Sequence, residues 1–151
     1  MALTTKSFVL PMLALTLCVS CATTNGPNAK DGMLEKQVLE VARLYEKFYN
    51  TDIKSFAALY TEDCIVNGGV YRGRETLFRN ESAYLNAAPN RIMRIDETHA
   101  SGDIVIVQGV ILDPDRGADW VVPFSAVLTC RDGKIAQDWT YAEFSKFASS
   151  E

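Results

Sequence analysis

The chain has 151 residues, of which 48% are hydrophobic and 23% charged, with a formal net charge of −4 and a pI near 5.0. That length supports one domain with a real core and leaves little room for a second. The acidic balance argues against bulk nucleic-acid binding, because such a surface repels phosphate backbones.

The first residues are a different material from the rest. Met1 to Lys6 carries one positive charge, Phe8 to Val19 is almost wholly apolar, and Ser20 to Asn25 is small and polar. This order reads as an export signal, and its apolar run is too short for a comfortable membrane span. The stretch "CVSCATT" resembles a bacterial lipoprotein cleavage box, with Cys18 standing where the box usually has Leu. The resemblance implies that Cys21 becomes a lipid-bearing N-terminus. Ala22, which is not Asp, then implies the outer membrane of a double-membraned bacterium, so the protein is expected in the periplasm or at the cell surface. Plain secretion after cleavage nearby is the alternative. A redox role for Cys18 and Cys21 is disfavoured, since a CxxC motif belongs at the head of a helix in a folded domain. The expected organisation is an export signal over 1–21, a linker over 22–31, one domain over 32–147 and a tail over 148–151.

Past the linker, Leu34, Val38, Val41, Leu44, Tyr45 and Phe48 recur at threes and fours, which predicts a helix with one buried face ending near Asn50. Thr51 or Asp52 can cap a short second helix reaching Leu59 or Tyr60. Cys64 to Asn67 reads as a strand, Gly68-Gly69 as a tight reversal, and Val70 to Arg72 as the return. Arg74 to about Asn86 is helical in pattern, with Pro89 beyond it. Arg91 to Ala100 predicts a strand. The Val/Ile-rich run Ile104 to Leu112 predicts one buried on both faces. Trp120 to Cys130 and Ile135 to Phe144 predict two more, joined by an Asp-Gly hairpin at Asp132-Gly133. Helices first and strands second predict an α+β fold with helices on one face of a sheet. Cys64 and Cys130 fall in apolar strands, where an exported pair can bridge or remain two buried thiols.

The segment "GGVYRGRETLF" from Gly68 to Phe78 raises the question of a phosphate loop. Its spacing fits neither known glycine-rich fingerprint, a single Gly73 precedes the helix, and Glu75 and Glu81 add opposing charge. A turn feeding a helix is the better account. "YRGRETL" instead resembles a segment of SnoaL-like proteins in the nuclear-transport-factor-2-like superfamily. "LYEKFYNTDIKSFAALYTEDCIV", "SGDIVIVQG" and "RDGKIAQDW" resemble its other segments in the right order, so the similarity runs from Leu34 to about Phe144. The fold it implies is a strongly curved mixed sheet wrapped around the long first helix, forming an open-mouthed cone. It also makes a sheet-to-sheet homodimer through the Trp139 and Tyr141 face a possible arrangement, and no cofactor is expected.

The family holds isomerases, polyketide cyclases, dehydratases and plain binders, and fold does not choose among them. By resemblance, the three catalytic positions of the isomerases fall on Leu44 (with Tyr45 adjacent), on Gly68 (beside Asn67) and on Ala126, so none carries the required donor or base. Cyclase-like members carry an acid on the last strand, where this chain has Thr140 with Asp138 two residues earlier. Strand alternation puts Ala136, Asp138, Thr140 and Ala142 on one face, small residues that suggest a cavity, with Trp139 and Tyr141 on the other. Asp138 is therefore the candidate acid/base, with Tyr45 and Tyr60 as helpers. Its bland reading is an ordinary strand-end carboxylate. Phe56, Asn67, Trp120, Phe124, Ala126, Leu128 and Thr140 are the remaining candidate pocket residues. His99, the single histidine, reads as a surface residue, and no metal site is expected. The leading expectation is a binder of a small apolar molecule. The alternatives are an acid/base enzyme of the polyketide-cyclase or hydratase/isomerase type using Asp138, and a dimeric interaction module without ligand.

Overall fold

The structure, a computed structural model, describes residues 29–143 and residue 145. The export signal, Cys21, most of the linker and the 148–151 tail lie outside the described residues. Helix α1 (Ala29–Tyr49) begins inside the expected linker. Its buried residues Val38, Val41, Ala42, Tyr45 and Tyr49 fall on one stripe, as the three-and-four spacing requires. At its end the Asn50 amide donates to the Met93 carbonyl at 2.7 Å and accepts from the Met93 N–H at 2.8 Å. That pair ties α1 to β3 (Ile92–Ser101). The carboxylate of Asp52 caps α2 (Ile53–Ala58), accepting from the Lys54 N–H at 3.0 Å and the Ser55 hydroxyl at 2.5 Å.

Strand β1 (Tyr60–Val66) starts earlier than its apolar core suggests. The reversal after it is a 3-10 turn over Asn67–Gly69 rather than a two-residue hairpin, followed by the short β2 (Tyr71–Arg72). Gly68 has φ +66°, and a Cβ there would meet the Trp139 ring at 2.7 Å. Glycine is thus needed both for the backbone and for the close approach. Helix α3 (Arg74–Ala87) follows, then β3, β4 (Ile104–Leu112), β5 (Val121–Arg131) and β6 (Lys134–Ala142). Asp132 and Gly133 both have positive φ, at 54° and 72°, as the Asp-Gly turn between β5 and β6 demands.

The six strands form one mixed sheet in the order β2-β1-β6-β5-β4-β3. All neighbours are antiparallel except β1 and β6, which run parallel. The strongly curved cone implied by the resemblance is corrected here. The sheet is open and not strongly curled, with β2 and β3 as separate edges that do not meet. The antiparallel run β3 to β6 pairs through long, nearly continuous registers. The expectation for β4 is corrected too. Val105, Val107 and Ile111 are buried, but Ile104 is 39% exposed, because the helices and the core occupy one face of the sheet. Cys64 and Cys130 are buried free thiols. Among the described residues no helix is long and apolar enough to cross a membrane.

Candidate active site

Asp138 lies in the middle of β6 and is 2% exposed. Alternation turns it and Thr140 toward the helices and sends Trp139 and Tyr141 outward, where they are exposed. Three hydroxyls converge on the carboxylate. Tyr60, at the start of β1, donates to Oδ2 at 2.6 Å. Tyr45, on the buried stripe of α1, reaches the same oxygen at 3.4 Å. Thr140 donates to Oδ1 at 2.7 Å. Asn67 fixes this part of β6 by accepting from the Thr140 backbone N–H at 2.8 Å. Phe56 of α2 packs edge-on against Tyr45, Tyr49 and Tyr60, with ring centroids 4.9, 5.4 and 5.6 Å away. One aromatic residue thereby holds three tyrosines in place.

These groups border a cavity of about 170 Å³. Tyr45, Tyr60, Asp138 and Thr140 line one part of it with Asn67 and Phe56. Tyr49, Val66, Tyr71, Leu77, Met93, Ile111 and Ala142 supply most of the rest. From α3, Glu81 and Tyr84 complete the wall.

The electrostatics follow from this burial. Loss of water raises the Asp138 carboxyl above the usual carboxylate range, and the hydroxyls of Tyr60, Thr140 and Tyr45 oppose that rise by favouring the charged form. The Tyr45 and Tyr60 hydroxyls are pushed well up, first by burial and then by the Asp138 charge, so they stay protonated donors. Burial, with the Asp138 charge adding to it and Arg91 opposing, pushes Glu81 up to about 7. Arg91 itself is buried 3.5 Å from Asp113, and its guanidinium lies 3.9 Å over the Tyr84 ring.

The structure brings Tyr45, Phe56, Tyr60, Asn67, Asp138 and Thr140 to one cavity. Trp120, Phe124, Ala126 and Leu128 do not line it; the last three are core residues of β5, packed beneath the sheet's inner face. Ala136 does not share the Asp138 face. Cys130 pairs with Ile135 and Thr129 with Gln137, so Ala136 is an extra residue in a β-bulge, and Ile135 points inward instead. Of the three isomerase positions, Leu44 packs beside the core, Gly68 lies against Trp139 and Ala126 is fully buried. His99 is an exposed residue 3.5 Å from Glu97. The sequence reading missed Glu81. The available signal was its place four residues after the buried Leu77 and three before Tyr84, a carboxylate on the apolar stripe of a helix.

Fold and site together define an α+β protein of the nuclear-transport-factor-2-like type, with a buried carboxyl facing a small cavity. Solved structures share this architecture. IdmH, a candidate polyketide cyclase from Streptomyces antibioticus, is 14% identical with a TM-score of 0.64, covering 74% of this chain and 95% of that one. A candidate polyketide cyclase from Bacillus cereus is 19% identical with a TM-score of 0.63, covering 74% and 77%. A nuclear-transport-factor-2-like protein of unknown function from Mesorhizobium loti is 20% identical with a TM-score of 0.62, covering 72% and 93%. At these identities the likeness is one of fold. The SnoaL-like domain matches over residues 41–137, and the chain belongs to that family. No curated protein matches it.

Proposed function

We propose that this protein is an acid/base enzyme of the polyketide-cyclase type, moving a proton at the carbon beside a carbonyl group in a small, largely apolar substrate. Asp138 takes the proton, and Tyr60, Tyr45 and Thr140 hold its carboxylate in place. One observation carries this reading: a buried carboxyl, hydrogen-bonded by three hydroxyls, faces a cavity instead of being packed over. Burying such a group costs stability that a passive apolar pocket would not spend, and perturbed carboxyls in clefts mark sites of chemistry. Size supports a compact substrate. A cavity of about 150 Å³ accommodates benzene, so about 170 Å³ suits a single ring, and a larger molecule would extend through the mouth. A binder of a small apolar molecule is the second reading, favoured by the aromatic and aliphatic lining.

The test is deuterium exchange at the α-carbons of cyclohexanone in heavy water, followed by NMR. Wild-type protein is expected to accelerate exchange, and Asp138→Asn to lower the rate about 10²-fold or more. Acceleration that survives Asp138→Asn rules out this residue as the base. Ring binding without exchange returns the weight to the binder.

We also propose that the protein is exported and anchored through a lipid on Cys21. The charge and hydropathy order of residues 1–21 supports this.

A further inference from the structure

We propose that Glu81 is a second catalytic residue of this cavity, donating a proton to the substrate's carbonyl oxygen while Asp138 removes one from the adjacent carbon. The inference rests on the acid/base reading above and adds the partner that reading lacks. Enolisation is slow when only a base acts, because negative charge then accumulates on oxygen.

The two carboxyls sit in contrasting surroundings. Asp138 comes from the sheet and accepts hydrogen bonds from Tyr60, Tyr45 and Thr140, which suits its ionised form. Glu81 comes from α3, lines the same cavity, and among the described residues no hydrogen bond to its carboxyl contributes to its shift. The charged groups that act on it are Asp138 from β6 and Arg91 ahead of β3, while the Glu81 charge in turn raises the hydroxyls of Tyr45 and Tyr49 from α1, Tyr71 from β2 and Tyr84 from its own helix. Arg91 favours the charged form, but burial and the Asp138 charge outweigh it and hold the proton on Glu81 up to about pH 7. Burial raises the Asp138 carboxyl too, but the hydroxyls of Tyr60, Thr140 and Tyr45 oppose that rise, whereas the Asp138 charge adds to the rise of Glu81; surroundings that differ in this way divide the base from the acid.

The step balances within the cavity. The Asp138 carboxylate takes the α-proton, and the C–H electron pair becomes the carbon–carbon double bond of the enol. The carbonyl π pair takes the proton of Glu81. Asp138 gains one proton and Glu81 loses one, so net charge is unchanged and no other reactant is needed. The reverse step, after Asp138 exchanges its proton with heavy water, leaves deuterium on carbon.

The experiment measures cyclohexanone exchange against pH for the wild type, Asp138→Asn and Glu81→Gln. The glutamine keeps the shape and can donate a hydrogen bond, but cannot give up a proton. Wild-type exchange should fall as pH rises past about 7, where Glu81 ionises. Glu81→Gln should lose about 10²-fold at the optimum and lose that alkaline limb as well. A Glu81→Gln rate and limb equal to wild type, with Asp138→Asn inactive, overturns this inference and leaves the acid/base reading standing. Wild-type protein that accelerates no exchange overturns both. A carbon-13 NMR titration of the Glu81 carboxyl supplies a readout independent of turnover. It should titrate near 7 in the wild type and lower in Asp138→Asn, and an unchanged midpoint there removes the coupling on which the division of roles depends.

Discussion

At the scale of single residues, Glu81 links the site to stability. An unperturbed glutamate ionises near 4.5, and in the folded chain this one is pushed up to about 7. The folded state therefore holds the proton more tightly than the unfolded state. The stabilisation is full below about pH 4.5 and is lost as pH rises to about 7. The shift corresponds to roughly 3 kcal/mol. Glu81→Gln cannot ionise, so its urea midpoint should overtake that of the wild type across this window and stay above it at pH 8. Midpoints that move in parallel from pH 4.5 to 8 would refute a raised carboxyl at this position. Asp138 adds a slope of the same sign to both proteins, so the comparison isolates Glu81. Of the two carboxyls, Asp138 was legible in the sequence because period-two alternation placed it with Thr140 opposite Trp139 and Tyr141. Glu81 was not, since a carboxylate in a mixed helix normally faces water. Its surroundings are set by the packing of α3 against α2, β1 and β2 and by Asp138 of the last strand, which lines the same cavity from a distant part of the chain.

At the scale of elements, the helices and the β5–β6 hairpin followed from local chemistry. The stripe of α1, the Asp52 cap and the Asp-Gly turn are each decided within a few residues. The bulges were not. β3 and β4 shift register between Ile95 and Glu97, and a Cβ on Gly109 would collide with the Arg94 carbonyl across that irregularity. Gly109→Ala should consequently cost about 2–3 kcal/mol, since the atoms it would meet, at Arg94 and Ile95, are backbone of β3 and not the end of a soft side chain. A urea midpoint within error of wild type would show that the strands slide apart freely. A bulge also explains the misplaced Ala136. One extra residue reverses the alternation on which its assignment to the Asp138 face rested.

At the scale of the whole molecule, the anchoring proposal makes a simple prediction. Cys21→Ser should abolish incorporation of labelled fatty acid and move the protein from the membrane to the soluble fraction of the producing bacterium. Unlabelled wild-type protein found wholly in the soluble fraction would favour plain secretion. The sequence by itself determined the α+β class, the order of elements and the family, because periodicity, caps and turn residues act over short spans of chain. It also singled out Asp138 and the two tyrosines as candidates. Only the tertiary structure decided that the sheet is open rather than a strongly curved cone, that β1 pairs in parallel with β6, and that Glu81 shares a cavity with Asp138. Strand order and helix-to-sheet packing depend on contacts between residues far apart in sequence. No local pattern encodes the desolvation those contacts impose on a buried carboxyl.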